Sequence, residues 1–348
     1  MGKRIEDFFK KMTEGEYRAN PAVSYSFLKE VLEIGGRAYD PDRERVSSGG
    51  FALGSMVDNI ITDNDFNPFE HYEIVNVNKD RSGSNEYKKL VNYLIEKYPN
   101  RIIEDNYDND WINEKSKEAG LWKSYKKDEA RIKAFDKDEF WDQLRIYRIE
   151  QGDKPIISQD DFELGLLMAE TLQNHQYSRD IFGDKPQFDR FYQVKIFFRL
   201  NGVDVKAMLD VVLIDYENKV IYPKDLKTGS ERDFMKNFYK FKYYLQGALY
   251  TAALQSIIQT NPEFEEWTVA PFEFIYISRA NPNEPLIYQM NETFITKAMT
   301  GFITHIGVIY KGILDLIDDH KWYIENNITN SFRDIIENNG VIKIHNPF

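Results

Sequence analysis

Cysteine is absent from this sequence of 348 residues. Its absence excludes disulfide bonds, thiolate nucleophiles, zinc ribbons and iron–sulfur clusters held by cysteine. Histidine is scarce too, and the five histidines show no paired spacing of the kind that metal-binding motifs use. We therefore expect each histidine to be an ordinary core or surface residue.

Long apolar runs are also missing. No stretch approaches the roughly 18 consecutive apolar residues that a transmembrane helix needs. Residues 1–7 do not lead into the apolar core of a signal peptide. We therefore expect a cytoplasmic protein without a membrane partner.

Basic residues are outnumbered, since 45 Lys and Arg stand against 57 Asp and Glu and give a net charge of −12. This charge argues against broad coating of nucleic acid, because phosphate contacts require Lys and Arg. It leaves room for a local basic channel. With 42% hydrophobic residues, the chain can bury a large core, and we expect a single domain over residues 1–348.

Two runs of apolar and β-branched residues lie within 203–227, and the polar segment 215–219 separates them. This pattern predicts a β-hairpin. A turn centred between Glu217 and Asn218 would place Asp215 opposite Val220, and the pairs would continue outward one residue at a time along each strand. The sequence therefore predicts which residues face each other across the hairpin.

That register places Asp210 opposite Asp225, with Cβ atoms about 4.5–5.5 Å apart. Lys227 lies on the same face as Asp225, because residues two apart in a strand share a face. Pro223 could bulge the second strand and shift this pairing by one residue. The expected result is two carboxylates and one ammonium on one side of a sheet.

Two carboxylates this close repel each other unless a cation lies between them. Mg²⁺ is the natural occupant of such a site, since it prefers oxygen ligands, and we expect Mn²⁺ to substitute for it. The alternative is that Asp210 and Asp225 are charges on a solvated strand face. The apolar residues around both of them favour the metal site, where Lys227 could orient or activate a water molecule.

Asp210 followed by Asp225-Leu226-Lys227 resembles the core motif of the PD-(D/E)xK nuclease superfamily. The expected helix that follows carries Gln246 and Tyr250, which are similar to the Gln-x-x-x-Tyr motif of the RecB and lambda-exonuclease branch. Residues 23–29 and 51–58 resemble the opening of the exonuclease VIII (RecE-type) domain. The resemblance runs from about Ser24 to near Ile317, with a divergent middle.

The resemblance implies an α/β PD-(D/E)xK nuclease fold, with a central mixed β-sheet flanked by helices. Two long helices, expected over 231–259 and 291–319, would cover the sheet. The catalytic core sheet and helices would lie within residues 188–320. Residues 76–160 would form a variable, charged and mostly helical insertion.

In this family, the counterparts of Asp210, Asp225 and the Leu226 carbonyl hold the metal, and the counterpart of Lys227 orients the attacking water. Asp58 lies where relatives carry a histidine or acid that reaches the metal, although a polar residue on a helix flank is an equal alternative. Relatives often have a glutamate where this chain has Gln193. A neutral amide cannot balance the charge of a second cation, so the number of metal ions that the site binds, one or two, remains open.

Candidate DNA contacts follow the motif. Gln246 and Tyr250 are one helical turn apart, and the resemblance places them against DNA, with a helix–sheet hydrogen bond as the alternative for Gln246. Arg232, Lys236 and Lys240 recur at intervals of four on the expected helix and would share one face. Such a face is either a phosphate-binding stripe or simply solvated.

The function implied by the resemblance is Mg²⁺-dependent exonucleolytic hydrolysis of duplex DNA, in recombination or DNA processing by a phage. It also implies a homo-oligomer, a single-strand annealing protein as partner, and action in the cytoplasm of the host cell. Two alternatives remain open. One is a structure-specific endonuclease or nickase, and the other is a catalytically inactive DNA-binding or structural relative of the same fold.

Overall fold

The computed structural model describes residues 3–43, 52–63, 65–75, 84–97, 109–134, 137–150, 152, 154–305 and 307–341. Contacts divide the chain into two compact units. The first unit comprises residues 1–49, 57–64 and 167–348, and the second comprises 50–56 and 65–166. All the site residues considered above belong to the first unit.

The described elements form a mixed α/β structure. The α-helices are α1 (Glu14–Ala19), α2 (Tyr25–Ile34), α3 (Ala52–Thr62), α4 (Pro68–His71), α5 (Ser84–Lys97), α6 (Asn109–Glu118), α7 (Asp128–Ala134), α8 (Lys137–Glu150), α9 (Gln159–Asn174), α10 (Arg179–Phe182), α11 (Phe234–Lys240), α12 (Tyr243–Thr260), α13 (Glu292–Thr300), α14 (Ile313–Asn326) and α15 (Arg333–Glu337). The strands are β1 (Val23–Ser24), β2 (Glu73–Val75), β3 (Ile156–Ser158), β4 (Asp189–Leu200), β5 (Val203–Asp215), β6 (Val220–Gly229), β7 (Thr268–Val269), β8 (Phe272–Ser278), β9 (Asn281–Met290), β10 (Phe302–Ile303) and β11 (Ile309–Tyr310).

The first unit is built on a seven-stranded sheet in the order β1-β5-β6-β8-β9, with β4 also paired to β5 and β7 to β6. The pairs β4–β5, β5–β6 and β8–β9 are antiparallel, whereas β1–β5, β6–β7 and β6–β8 are parallel. Helix α12 packs on the sheet through a buried face that includes Leu245, Ala248 and Leu249. The expected central mixed sheet with flanking helices is therefore present.

The hairpin β5–β6 has the predicted register. Asp215 pairs with Val220, and the ladder continues in step to Val211 opposite Lys224. Pro223 lies within this ladder without shifting it. The turn is fixed by Asp215, whose Oδ1 accepts hydrogen bonds from the backbone N–H groups of Glu217 (3.0 Å) and Asn218 (2.9 Å).

The single helix expected over 231–259 is wrong, because the chain forms α11 and α12 with a break between them. Lys242 has φ +60, in the left-handed region that interrupts a helix. The break has a packing cause. Phe238 and Tyr244 are both buried, yet six residues of continuous helix would point them about 120° apart.

The single helix expected over 291–319 is also wrong. Helix α13 ends before Gly301, whose φ of +82 favours glycine, and the β10–β11 hairpin separates it from α14. Gly312 permits this close return, since a Cβ there would lie 2.2 Å from the Gly301 nitrogen. Ile306, expected on the inner side of that helix, lies outside the described residues.

The second unit is mostly helical where it is described. Its core contains Leu90, Leu94, Ile112 and Phe140. Arg131 is buried and donates hydrogen bonds to the Asn113 and Ser116 side chains and to the carbonyls of Leu121 and Trp122. A polar network thus joins its helices. Of the helices described in either unit, none has the length and apolar character needed to span a membrane.

Helix α1 is attached to the sheet by a buried lysine on β5. Lys206 is only 6% exposed, and its Nζ donates to the carbonyl oxygens of Tyr17 (2.8 Å), Arg18 (3.2 Å) and Asn20 (2.6 Å). The Tyr17 carbonyl also accepts the Asn20 N–H at 3.3 Å, whereas carbonyls at the end of a helix otherwise lack partners in a following turn. A cation there also matches the negative end of the helix dipole.

We predict that Lys206→Ala destabilises the fold by roughly 2–4 kcal/mol, since it strands several buried carbonyls. Lys219→Ala is the matched control, because Lys219 lies in an exposed pair with Glu266, and such pairs contribute less than about 1 kcal/mol. Urea unfolding of both variants measures the difference. Equal, small effects would show that α1 is held without Lys206.

Candidate active site

The site lies where β5 and β6 separate at the end of their ladder. The next residues along the two strands are Asp210 and Asp225, as the register predicts. Instead of a further backbone pair, the Oδ2 of Asp210 accepts a hydrogen bond from the Leu226 N–H at 3.0 Å. Leu226 thus contacts Asp210 through its backbone N–H, while the metal-binding role of its carbonyl stays a prediction.

Asp225 is completely buried, with 0% of its surface exposed. Its Oδ1 accepts a hydrogen bond of 2.7 Å from the Nε2 of Gln246, and its Oδ2 forms an ion pair with Lys227. Burial raises the pKa of Asp225 well above its usual value, and the nearby charge of Asp210 raises it further, against the opposing effect of Lys227. Lys227 is thus the neighbour that favours the charged form of this carboxyl.

Lys227 supplies that positive charge. Burial lowers the pKa of its ammonium, but the charges of Asp225 and Asp210 outweigh burial, and the pKa rises above the usual value. The Nζ also lies 5.1 Å from the centre of the Tyr243 ring, in cation–π contact. Lys227 is thus a protonated hydrogen-bond donor rather than a base.

Asp58, on α3, is a second carboxyl with a shifted pKa. Burial and then the charge of Asp210 raise its pKa to about 7, with a further increase from Glu14 and a decrease from Lys227. Its Oδ1 is buried and has no hydrogen-bond partner among the described residues. The acid predicted from the α3 position therefore does lie in the electrostatic field of Asp210 and Lys227.

Gln193 joins Asp58 to the sheet. Its Nε2 donates to the Oδ2 of Asp58 at 3.4 Å. Gln193 has φ +50, a strained conformation for a residue other than glycine, and the β4–β5 ladder omits its pair with Asp210. Residues in such conformations concentrate at functional sites, where surrounding contacts hold them in place.

Gln246 and Tyr250, expected at the rim, are both buried, at 6% and 8% exposure. For Gln246 the structure shows the helix–sheet hydrogen bond, in which its amide orients Asp225. Tyr250 lies close enough to Asp225 and Asp210 that their charges add to the effect of burial and raise its pKa. Contact of either side chain with DNA stays a prediction.

Of the expected basic stripe, Lys236 and Lys240 share one face, because they lie one turn apart on α11. Arg232 precedes α11 and approaches Glu284 at 3.5 Å, and Lys236 pairs with Glu231 at 3.2 Å. Lys240, at the end of α11, is exposed and lies 5.1 Å from the centre of the Phe241 ring. The helix break separates these residues from α12, and nearby acids neutralise the first two.

The arrangement can be compared with the needs of Mg²⁺. The available donors are oxygen atoms, and the raised pKa values and the unpartnered Asp58 oxygen are features that a cation would relieve. Within the described ranges, no group of three or more His, Cys, Asp or Glu is placed to hold one ion. Two carboxyls, Asp210 and Asp225, meet at the end of the ladder, and both oxygens of Asp225 already have partners in Gln246 and Lys227.

Sequence reasoning missed two contributors to this site. The hydroxyl of Tyr25 donates to the Phe241 carbonyl at 2.7 Å, and its pKa is raised chiefly by burial, with Tyr243 and Asp225 adding to the effect. Glu14, on α1, acts on Asp58. In the sequence, nothing distinguishes Tyr25 from an ordinary aromatic residue of the core. Nothing distinguishes Glu14 from an ordinary acidic residue of the surface.

We predict that metal-free stability depends on the ionisation of Asp58. The folded-state pKa of about 7 exceeds the ordinary value of 3.8, so the folded protein holds this proton more tightly. The proton on Asp58 stabilises the folded protein fully below pH 3.8, and this contribution is lost as the pH rises towards 7. Asp58→Asn should therefore gain stability relative to the native protein across that window, by at most about 1.4 kcal/mol per pH unit.

Chemical unfolding in EDTA from pH 4.5 to 8.5 measures this difference. Asp184→Asn, at an exposed position, is the control and should follow the native protein in parallel. Parallel curves for Asp58→Asn as well would contradict the shifted pKa.

Comparisons with known proteins add little to this geometry. No protein-family model matches the chain, and no curated protein matches it. Among solved structures, the chain is similar to a candidate exonuclease from Eubacterium rectale, at 14% identity and a TM-score of 0.36 over 87% of this chain and 96% of that one. It is also similar to the protein SSO0001, at 12% identity and a TM-score of 0.23 over 72% of this chain and 83% of that one. A third similar structure is protein VC1899 of Vibrio cholerae, at 15% identity and a TM-score of 0.17 over 83% of this chain and 59% of that one. Scores this low establish neither a shared fold nor a shared activity, so the chemistry of the site carries the functional argument.

Proposed function

We propose that this chain is a Mg²⁺-dependent deoxyribonuclease with the PD-(D/E)xK fold. One observation carries the proposal, namely the meeting of Asp210 and the fully buried Asp225 at the point where two strands separate, with Lys227 paired to Asp225. A purely structural sheet has no need to place a fully buried acid beside a second, half-buried acid that repels it. Such a pair suits a protein that binds a hard cation beside a phosphate.

Asp210, Asp225 and the Leu226 carbonyl would hold the ion. When bound, Mg²⁺ would supply positive charge that stabilises the phosphate and favours deprotonation of a water molecule. Gln246 fixes the orientation of Asp225 through its hydrogen bond of 2.7 Å. The protein thereby holds one ligand rigidly before any substrate arrives.

The other side chains have distinct tasks in hydrolysis. Lys227, a protonated ammonium, can donate hydrogen bonds to a phosphate oxygen or to the attacking water. Asp58, with a pKa of about 7, can accept a proton near neutral pH, where a general base is most effective. Because burial first and the charge of Asp210 second raise this pKa, the proton-accepting role would fall to Asp58 and the metal-binding role to Asp210 and Asp225.

By resemblance, the substrate would be duplex DNA degraded from its ends in a phage recombination pathway, with a homo-oligomer and an annealing protein as partners. A structure-specific endonuclease or nickase is the second candidate. End-labelled linear duplex and covalently closed circular duplex separate the two, since only an endonuclease cuts the circle. An inactive relative would cut neither substrate with Mg²⁺.

We predict that Asp225→Asn abolishes Mg²⁺-dependent hydrolysis, because it removes a metal-binding charge at almost unchanged volume. Asp204→Asn is the matched control, since Asp204 lies on the same strand as Asp210 with a side chain 82% exposed. Cleavage of labelled duplex is measured with Mg²⁺ and with EDTA. Normal cleavage by a folded Asp225→Asn protein would refute the metal-site assignment.

A second prediction concerns the number of ions. With Gln193 in place of an acid, the protein alone should bind one Mn²⁺ tightly, and any second ion should need the charge of a substrate phosphate. Gln193→Glu should then bind a second ion without DNA. Gln187→Glu adds the same charge at an exposed position and should leave one site. Calorimetric titration measures this number, and two tight sites in the native protein would contradict the prediction.

A further inference from the structure

The break between α11 and α12 brings aromatic rings and lysines together next to the candidate active site. Tyr243, whose ring contacts Lys227, lies 5.7 Å from the ring of Phe241. Lys240 and Lys29 approach the Phe241 ring, at 5.1 and 5.5 Å from its centre. A chain of rings and cations therefore leads away from Lys227.

A second cluster of rings lies between the end of α11 and the β10–β11 hairpin. Tyr239, the exposed residue before Lys240, lies 5.8 Å from Tyr310 of the β10–β11 hairpin. Tyr310 stacks on Phe302 at 4.8 Å and an interplanar angle of 6°. The Nζ of Lys242 lies 5.8 Å from the centre of the Tyr310 ring. The left-handed conformation of Lys242 thus occurs where the two helices present these rings.

We define the aromatic surface as Tyr239, Phe241, Tyr243 and Tyr310, together with Lys240 and Lys242. Tyr239 is exposed, and the other three rings are half-buried, so each retains accessible area. Among the described residues, Lys240 and Lys242 make no ion pair, whereas Lys236 on the same helix pairs with Glu231. What distinguishes Lys240 and Lys242 is therefore their position beside aromatic rings, at 5.1 Å from the centre of Phe241 and 5.8 Å from that of Tyr310.

We propose that the aromatic surface binds a single strand of DNA next to the site of hydrolysis. Ring faces suit unpaired bases, since each base stacked on an aromatic side chain contributes about 1–3 kcal/mol regardless of its identity. The bases of intact duplex are already stacked on one another. Lys240 and Lys242 would contact phosphates, and the Tyr243–Lys227 contact joins this surface to the acids.

This inference deepens the proposed nuclease function by placing an unpaired strand beside the scissile bond. It also accommodates the acidic net charge, because stacking contributes binding that does not depend on Lys and Arg. A protein partner with an acidic segment would use the two lysines but would not require unpaired bases. The two possibilities therefore differ in what the rings contribute.

The test uses the full chain in EDTA, so that no hydrolysis occurs. Two fluorescein-labelled probes are compared by anisotropy, a twelve-nucleotide oligo-dT and an abasic strand with the same number of phosphates. Tyr239→Leu combined with Phe241→Leu removes two rings and keeps their apolar bulk. Tyr177→Leu, at an exposed aromatic residue elsewhere in the first unit, is the control.

We expect the double leucine variant to bind oligo-dT at least about tenfold more weakly, since it loses two stacking partners, while the abasic strand binds within about twofold of the native level. Lys240→Ala combined with Lys242→Asn should weaken both probes and reduce the salt slope by about 1.4. Asparagine is chosen at position 242 because it tolerates the left-handed conformation. Lys236→Ala should change neither probe.

Unchanged binding of oligo-dT by the folded leucine variant overturns the inference, as does an equal loss on both probes or no binding by the native protein. Cleavage assays test the proposed function separately. A native protein that binds as expected but never hydrolyses DNA refutes the nuclease and leaves this surface standing. A native protein that hydrolyses DNA while the leucine variant binds normally refutes only the surface.

Discussion

The central constraint in this structure is the neutralisation of Asp225. A carboxylate with no exposed surface beside a second carboxylate is unstable as an anion unless a positive charge and hydrogen-bond donors surround it. Lys227 provides the charge, and Gln246 provides a donor from the helix that covers the sheet. Strand β6 and helix α12 are therefore tied to each other through one acid.

The same constraint extends through Asp210 to the rest of the site. Asp210 is half-buried between Asp225 on one neighbouring strand and the interrupted pairing at Gln193 on the other. Its charge raises the pKa of both Asp225 and Asp58. A change at Asp210 would therefore act, in addition to burial, on the pKa of one carboxyl on the next strand and of one on a helix.

Much of this arrangement could be predicted from local sequence. The register of β5 and β6 follows from the turn residues, because Asp215 closes the turn with its own side chain. The N-cap of α2 follows from Ser24, which accepts a hydrogen bond from Phe27. Gly301 was a readable signal for the end of α13, since a glycine inside an apolar pattern commonly ends a helix.

Other features depend on tertiary packing and had no local signal. A lysine seldom adopts the left-handed conformation, so the break at Lys242 follows from the need to bury both Phe238 and Tyr244. The strained backbone of Gln193 depends on contacts with α3, which is distant in sequence. The acidic partners of Arg232 and Lys236 could not be inferred from helical spacing, since spacing identifies a shared face and not the charges opposite it.

The most direct test of the account is the position of a bound Mn²⁺ ion in crystals of the native protein, located by anomalous scattering. The account predicts one ion in contact with the carboxylates of both Asp210 and Asp225. An ion bound only elsewhere, with Asp225 still paired to Lys227 and held by Gln246, would contradict it.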